Sequence, residues 1–348
     1  MRVVVCGAGI AGLALAHRLD VYGMEVTLLD KAPGPHTGGY MIDFFGPGYD
    51  AAEAMGLLPR LRELGYDVTE VAYVDEHGRR RAGFTYSDQV VSIMRPDLER
   101  ALREQLRVDV HYGRTVDSIE NGGTLVRLDN GETVETDLLV GSDGIHSRVR
   151  ALAFGPEERH LRFLGYHTAA FTFDDPELYA RVDGRFCLTD TLHRCLGFYA
   201  LRNGRVAAFA VHHADSPELP ADKRAALRAE YGPLAPARID QLFYDQVAQT
   251  VMPKWSAGRV VLLGDSAYAV SLLAGQGASM AVAGAHTLAT ELSRAPSIEK
   301  ALSAYEGIMR PLIAKRQRQA RRTARWFVPA NRAQRLVRRV ALRVLFRP

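Results

Sequence analysis

Apolar runs and helical periodicity alternate from the first residues of the chain. "RVVVCGA" from Arg2 reads as a buried strand, "AGLALAHRLDVYG" from Ala11 as an amphipathic helix, and "EVTLLD" from Glu25 as a second strand. Alternation of this kind predicts a parallel sheet with right-handed crossovers. Pro96 opens another helix, "PDLERALREQL", because a missing N–H is tolerated in the first turn. "DVHYGRTVDSIENGGTLVRLDNGETVETDLLVGSDG" then reads as successive short strands, with Asn121-Gly122 and Asn130-Gly131 as tight turns.

The pattern changes between about Leu161 and Val251. "YHTAAFTF", "RFCLTD", "CLGFYALRNG" and "RVAAFAVHH" are strand-like, and Asn203-Gly204 marks a hairpin. The expectation is an antiparallel sheet, joined by strands from the earlier segment "AYVDEHGRRRAGFTY". An apolar strand returns at "GRVVLLGD", and helices close the chain from about Ser297. The first unit is therefore discontinuous, comprising 1–70, 96–158 and 257–296. The β-rich unit comprises 71–95 and 159–256, and 297–348 is a helical, Arg-rich segment.

Composition changes this picture in two places. Three cysteines, Cys6, Cys187 and Cys195, stand in no metal or CxxC spacing, which points to a reduced, cytoplasmic protein with no metal. Met1 leads straight into a strand, so the expected N-terminus belongs to the fold and is not a cleaved signal. No apolar run reaches the roughly 18–20 residues that cross a bilayer. The net charge of +4 is uneven. Met309 to the end holds twelve Arg and one Lys and no Asp or Glu, so removing that segment turns +4 into −9.

The chemistry begins at "GAGIAG", between the first strand and the first helix, with Asp30 ending the next strand. Gly7 permits the tight turn, Gly9 the approach of a pyrophosphate, and Gly12 close packing of helix on strand; Ile10 and Ala11 lie between them. The helix N-terminus offers oriented N–H groups, and Asp30 is placed to accept a ribose hydroxyl. This predicts a Rossmann-like α/β domain that binds a dinucleotide, NAD or FAD alike, interleaved with the β-sheet unit. Two further Gly/Asp pairs close apolar strands: Asp143-Gly144 in "DLLVGSDGIHSRVR", and Gly264-Asp265 in "GRVVLLGDSA", followed by Gly275 and Gly277.

These motifs, in this order, resemble the single-component FAD-dependent aromatic monooxygenases of the p-hydroxybenzoate hydroxylase-like class. The likeness runs from Met1 to about Leu292. "TGGYMIDFFGPGYDAAEAMGL" is most similar to tetracycline-modifying and other polyketide monooxygenases. The resemblance implies hydroxylation of an aromatic or polyketide-like small molecule. NADPH or NADH reduces FAD, and O2 reacts to give a flavin hydroperoxide. It also implies roles by residue. Gly7, Gly9, Gly12, Asp30 and Lys31 hold the adenosine diphosphate half of FAD, and Arg95 lies beside the cofactor. Asp143 and Gly144 serve FAD and NAD(P)H, and Asp265 bonds the ribityl chain. Gly275, Gly277 and Ala278 bring a helix N-terminus to the flavin.

The loop after Asp265 departs from the class. Ser266-Ala267-Tyr268-Ala269 stands where Ala-Ala-His-Pro is usual, Leu272 replaces a proline, Ser279 an Asn and Gly284 an acidic residue. Tyr268, Ala269 and Leu272 are expected near the flavin but offer no acid, base or metal ligand, so no catalytic side chain is named. Two other readings stay open: bound FAD serving a non-redox reaction such as cyclisation, or a non-enzymatic flavoprotein.

On the β-rich segment, His167, Phe171, Phe186, Tyr199 and His212 are the substrate-side candidates, the histidines as acid–base groups. In "RAQRLVRRVALRVLFRP", Leu336, Val337, Val340, Ala341, Val344 and Leu345 form an apolar stripe with arginines on the other face. The stripe is expected to pack on the body or a partner subunit, in a monomer or homodimer. Weak contact with an anionic membrane surface is the alternative. Sparse aromatics near the arginines argue against a nucleic-acid partner.

Overall fold

The computed structural model describes residues 1–75, 78–85 and 89–345. A six-stranded sheet runs in the order Ser256–Ala257, Val260–Leu262, Leu138–Gly141, Arg2–Cys6, Glu25–Asp30, Val110–Tyr112. All its pairs are parallel except the edge pair Ser256–Ala257 with Val260–Leu262. The central strands are continuously apolar because both faces are covered: Val3–Cys6, Leu138–Val140 and Val260–Leu262 are buried. Helix Ile10–Val21 packs along helix Gly277–Arg294, beside this sheet. The turns at Asn121 and Asn130 join the antiparallel strands Val116–Glu120, Leu125–Leu128 and Thr133–Glu135.

A seven-stranded sheet runs Asp240–Thr250, Leu161–Phe173, Val206–His213, Arg194–Ala200, Arg185–Thr189, Glu70–Val74, Arg80–Thr85. It is antiparallel except that Glu70–Val74 lies parallel to Arg185–Thr189. The expectation of a wholly antiparallel sheet fails at this pair. A long connection joins these two strands, so no hairpin dictates their direction. Glu76, His77 and Tyr86 of the predicted extra strands lie outside the described residues. Val91–Met94, expected in the β-rich unit, pairs instead with Met41–Phe44 in a separate two-stranded ladder. That ladder sets Tyr40 beside Arg95, whose N–H donates to the Tyr40 carbonyl at 3.0 Å.

Two helices escaped the strand pattern, Pro176–Val182 and Lys223–Tyr231. Their signal is the aspartate before each. Asp175 accepts the Leu178 N–H at 2.9 Å, and Asp222 accepts those of Arg224 and Ala225. Lys223–Tyr231 covers one face of the seven-stranded sheet through Leu227 and Tyr231. The other face packs against Leu273, Ala324 and Val328, so it turns towards the loop after Asp265.

Ser297 caps the helix Ile298–Phe327, which is followed by helix Arg332–Leu345. Of the two expected places for the apolar stripe of the last helix, the body is not the one its large described side chains pack on: Leu336, Val337 and Val340 are 61%, 57% and 53% exposed. An ion pair holds the opposite face instead. Arg338 and Arg339 both bind the buried carboxylate of Asp190, and Leu342 joins the cluster beneath. The side chains of Val344 and Leu345 lie outside the described residues.

Candidate active site

Four neighbouring parallel strands end at one edge of the six-stranded sheet, and each ends in a motif. Cys6 leads to Gly7, Glu25–Asp30 ends in its aspartate, Gly141 leads to Ser142-Asp143, and Leu262 leads to Gly264-Asp265. Ligands of open α/β sheets bind outside such carboxyl ends. Topology alone therefore gathers residues that are more than two hundred positions apart.

The glycines show how tightly these loops meet. A β-carbon on Gly7, at φ 105°, would lie 2.5 Å from the Ser142 carbonyl oxygen and 2.7 Å from the Asp143 Cα. One on Gly12 would overlap the Gly7 carbonyl and come within 2.8 Å of Ser142 Oγ. One on Gly264 would meet the buried Ala11 Cβ at 2.9 Å. Gly9 differs: its nearest neighbours are Arg95 Nη2 at 3.9 Å and Glu99 Oε1 at 4.0 Å, so the turn opens there. Ile10 begins the helix behind this opening. Asp30 ties the loop to its strand, accepting the Ala8 N–H at 2.7 Å and the Ala32 N–H at 2.8 Å. Each carboxylate oxygen keeps a further lone pair for a ligand hydroxyl. Lys31 is exposed beside it.

Arg95 opens helix Arg95–Arg103 and faces this gap. Its Nε donates to Glu99 Oε1 at 3.0 Å, and His36 Nδ1 lies 3.3 Å from the other oxygen of the fully buried Glu99. Burial opposes the Arg95 charge, but Glu99 and the neighbouring groups hold its pKa raised. Burial would also push Glu99 up; the bond to His36 and the Arg95 charge outweigh it and lower its pKa. His36 is raised in turn by Glu99. Sequence reasoning missed both partners, although Glu99 stands one turn from Arg95 on the same helix.

Asp143 faces inward. Its carboxylate accepts the Ser147 hydroxyl at 2.5 Å and the Val149 N–H at 3.1 Å, so it anchors the start of helix Arg148–Phe154. Burial raises its pKa against these bonds. Gly144 follows at φ 85°. The buried Arg150 ties this segment to the next motif, donating to the carbonyls of Ser266 at 3.1 Å and Ile145 at 2.6 Å.

Asp265 is the exposed position in a buried run from Val260 to Ser271. Burial by the surrounding walls raises its pKa, and Arg95 opposes that rise. Its carboxylate has no hydrogen-bond partner among the described residues, and a β-carbon on Gly277 would lie 3.9 Å from Oδ1. Gly275 adopts the left-handed conformation at φ 63°, so helix Gly277–Arg294 starts with Ala278 buried behind it. The Gln276 side-chain oxygen is buried without a partner among the described residues. Ser271 also sits at φ 88°, and its hydroxyl accepts the Leu273 N–H at 3.3 Å. Backbone strain of this kind concentrates at functional loops.

The altered loop sorts into core and cleft. The Tyr268 side chain is core: its ring centroid lies 4.7 Å from that of Trp255, and its hydroxyl 3.4 Å from that of Tyr305. Ala269 is buried, and its carbonyl accepts from Gln317 at 3.0 Å. Leu272 is half-buried, at the start of a single turn.

This donor set suits FAD. A glycine cradle opens at Gly9, the helices Ile10–Val21 and Gly277–Arg294 begin at it, and acceptors wait at Asp30 and Asp265. Arg95 and the orphaned Gln276 oxygen complete it.

The structure divides the substrate-side candidates between the two faces of the sheet. Side chains alternate along a strand, and Leu161–Phe173 puts His167 and Phe171 on the face covered by Lys223–Tyr231, with His212 opposite His167 on the next strand. There the Tyr244 hydroxyl lies 3.1 Å from His212 Nε2 and 3.4 Å from His167 Nδ1. Burial lowers both imidazoles, His212 to about 4. Phe186 reaches the other face, where it packs 5.6 Å from Tyr199. The Tyr199 hydroxyl accepts the Met41 N–H at 2.7 Å. Tyr40, which neighbours Arg95 and Asp265, and the rings that continue from it were not foreseen. Tyr40 lies 6.3 Å from Phe209 and 5.9 Å from Phe243 between ring centroids, and Phe209 lies 6.1 Å from Phe327. Burial raises the Tyr40 hydroxyl, with Arg95 opposing and Asp265 adding.

Residues 1–320 match the family described as the FAD binding domain. An uncharacterized protein of Mycobacterium tuberculosis, Rv1260, is 34% identical over 84% of this chain and 85% of its own length. A flavin-dependent monooxygenase from an unknown prokaryotic organism is 29% identical over 91% and 87%. The crystal structure of the tetracycline destructase Tet(55) superposes with a TM-score of 0.85 at 26% identity, over 99% of this chain and 95% of that one. With the nucleotide cradle in place, these likenesses identify the chain as a member of the FAD binding domain family, a flavin-dependent monooxygenase of the p-hydroxybenzoate hydroxylase-like fold.

Proposed function

We propose that the protein hydroxylates an aromatic or polyketide-like small molecule, using NADPH or NADH and O2 in the cytoplasm. The observation that carries this reading is the half-buried aromatic wall of Phe327, Phe209, Tyr40 and Phe243, which reaches Arg95 and Asp265 through Tyr40. Flat rings of a substrate gain both burial and offset or edge contacts against such a wall. Residues 1–70, 91–158 and 257–296 form the cofactor unit in this reading, Val91–Met94 joining it through its ladder with Met41–Phe44, and 71–85 with 159–256 form the substrate unit.

FAD, when bound, supplies the redox and oxygen chemistry. Gly7, Gly9, Gly12 and the first turn of Ile10–Val21 bind the pyrophosphate, and Asp30 accepts a ribose hydroxyl. Arg95, held charged by Glu99, supplies a donor at the gap beside Gly9. Asp265 accepts from the ribityl hydroxyls. The helix N-terminus at Gly277 and Ala278 would offer positive potential to a bound flavin. Asp143 and Arg150 are positioning residues: one orders the turn after Gly141, the other fixes the carbonyl behind Asp265. The aromatic wall and Leu272 exclude water from the space between. The sequence holds no second Gly-rich fingerprint, which fits a nicotinamide donor without a domain of its own.

The test is oxidation of NADPH and of NADH in air by the yellow, FAD-loaded protein across a panel of aromatic polyketides, with product masses recorded. Substrate-stimulated oxidation and a product heavier by one oxygen support the reading. A flavin that neither nicotinamide reduces with any member of the panel would sink it. Asp265→Ala should weaken FAD retention roughly tenfold to a hundredfold, the loss of a charged hydrogen-bond acceptor.

A further inference from the structure

Helix Arg332–Leu345 is attached by the face opposite its apolar stripe. Arg338 is 2% exposed. Its guanidinium donates to Asp190 Oδ1 at 2.5 Å and to the carbonyls of Trp326 and Phe327 at 3.1 and 2.9 Å, and it lies 4.9 Å above the Tyr73 ring. At about 100° per residue, 338 and 342 share one side of the helix and 336, 337 and 340 the other. The stripe is thus held outward on a fixed support. Six of the nine exposed large apolar side chains among the described residues fall between Ile308 and Val340.

Every charged residue from Gly307 to the end of the sequence is cationic. No Asp or Glu follows Glu306 in the sequence, and the exposed Arg332 borders the stripe. On the preceding helix, Arg318, Arg321, Arg322 and Trp326 line an open groove of about 560 Å³. We propose that this face docks on the surface of an anionic lipid bilayer, with Leu336, Val337 and Val340 entering the acyl boundary and the arginines meeting the headgroups. A bilayer supplies an apolar phase and anionic charge at one depth. A second copy would press one all-cationic surface against another across a symmetric interface. Nucleic acid offers phosphates but nothing apolar for the stripe.

The experiment is co-sedimentation of the full-length, FAD-loaded protein with vesicles of phosphatidylcholine alone and of phosphatidylcholine with phosphatidylglycerol, at low and high salt. Association is expected with the phosphatidylglycerol vesicles only and to weaken with salt. The double substitution Leu336→Ser, Val340→Ser should reduce the vesicle-bound fraction about tenfold through lost apolar burial, with FAD binding and far-ultraviolet circular dichroism unchanged. Arg332→Glu should weaken association without touching the stripe. Failure to sediment with phosphatidylglycerol vesicles, equal binding to neutral ones, or undiminished binding by the double variant would each overturn the proposal. So would a dimer in solution that the double variant dissociates, since a second copy would then be the occupant.

Discussion

The ring of Tyr268 fills the space that a side chain at Gly284 would need. A β-carbon at 284 would overlap the tyrosine hydroxyl and lie 3.2 Å from its Cζ and 3.3 Å from Leu263 Cδ1. The resemblance marks these as two separate departures, at one position from a histidine and at the other from an acid. In the structure they are one: a bulky ring at 268 and none at 284. Gly284→Ala should therefore destabilise the protein by about 1–3 kcal/mol through overpacking. The same substitution in a Tyr268→Ala background should cost much less. Urea unfolding of the four proteins checks this; strictly additive effects would show that the two positions do not share the space.

His146 links the segment after Asp143 to the substrate-side sheet. Its Nε2 lies 3.3 Å from Asp245 and its Nδ1 2.9 Å from Glu157. The bond to Asp245, against burial, raises its pKa from 6.5 to about 9. A raised imidazole stabilises the fold fully below 6.5, and that contribution disappears as pH rises through about 9. The ring is 45% exposed, so solvent screening holds the contribution to about 1 kcal/mol. His146→Ala should lower the urea midpoint at pH 6 and leave it unchanged at about pH 10. An equal loss at both pH values would assign the effect to packing.

Asp190 is the buried anchor of the last helix, with its side chain inaccessible and that of Arg338 3% exposed. Asp190→Ala leaves a buried guanidinium without its counter-charge, a loss of about 3–5 kcal/mol concentrated on this docking contact. Trypsin should then cut among Arg332–Arg339 much faster than in the unaltered protein, while FAD stays bound. An unchanged cleavage rate would mean that the helix is held by other contacts.

Phe209 and His212 stand three positions apart on one strand and serve opposite faces. Phe209→Ala should raise KM for the substrate found by the panel about tenfold, from lost ring contact. His212→Phe should leave KM unchanged. It should cost about 1–3 kcal/mol of stability, because the buried Tyr244 and Tyr231 hydroxyls lose a partner. A KM shift from His212→Phe would return that histidine to the substrate side.

Local pattern marked the candidate cofactor residues of this protein. "GAGIAG", Asp30, Asp143 and Asp265 each announce themselves because a glycine turn or a strand-ending acid is written in neighbouring residues. Helix Arg95–Arg103 was legible for the same reason, from Pro96.

The substrate half was not legible at this level. His167 and Phe171 read like residues of a binding wall, but both faces of their sheet are covered by apolar groups, and period-two alternation then says nothing about which face meets the cleft. Tyr40, Phe209 and Phe327 are far apart in sequence and become one wall only when the small ladder and the helix Ile298–Phe327 bring them together.

The last helix shows the same division in reverse. Its amphipathic stripe was fully written in the sequence, and the natural inference was that the stripe is buried. The deciding contact is a buried pair between Asp190 and Arg338, 148 positions apart. The sequence by itself determined which residues could bind a dinucleotide and that the last helix has an apolar side. Only the tertiary structure decided which sheet face roofs the cleft and which helix face meets the body. Those choices depend on long-range partners whose burial and charge no local window contains.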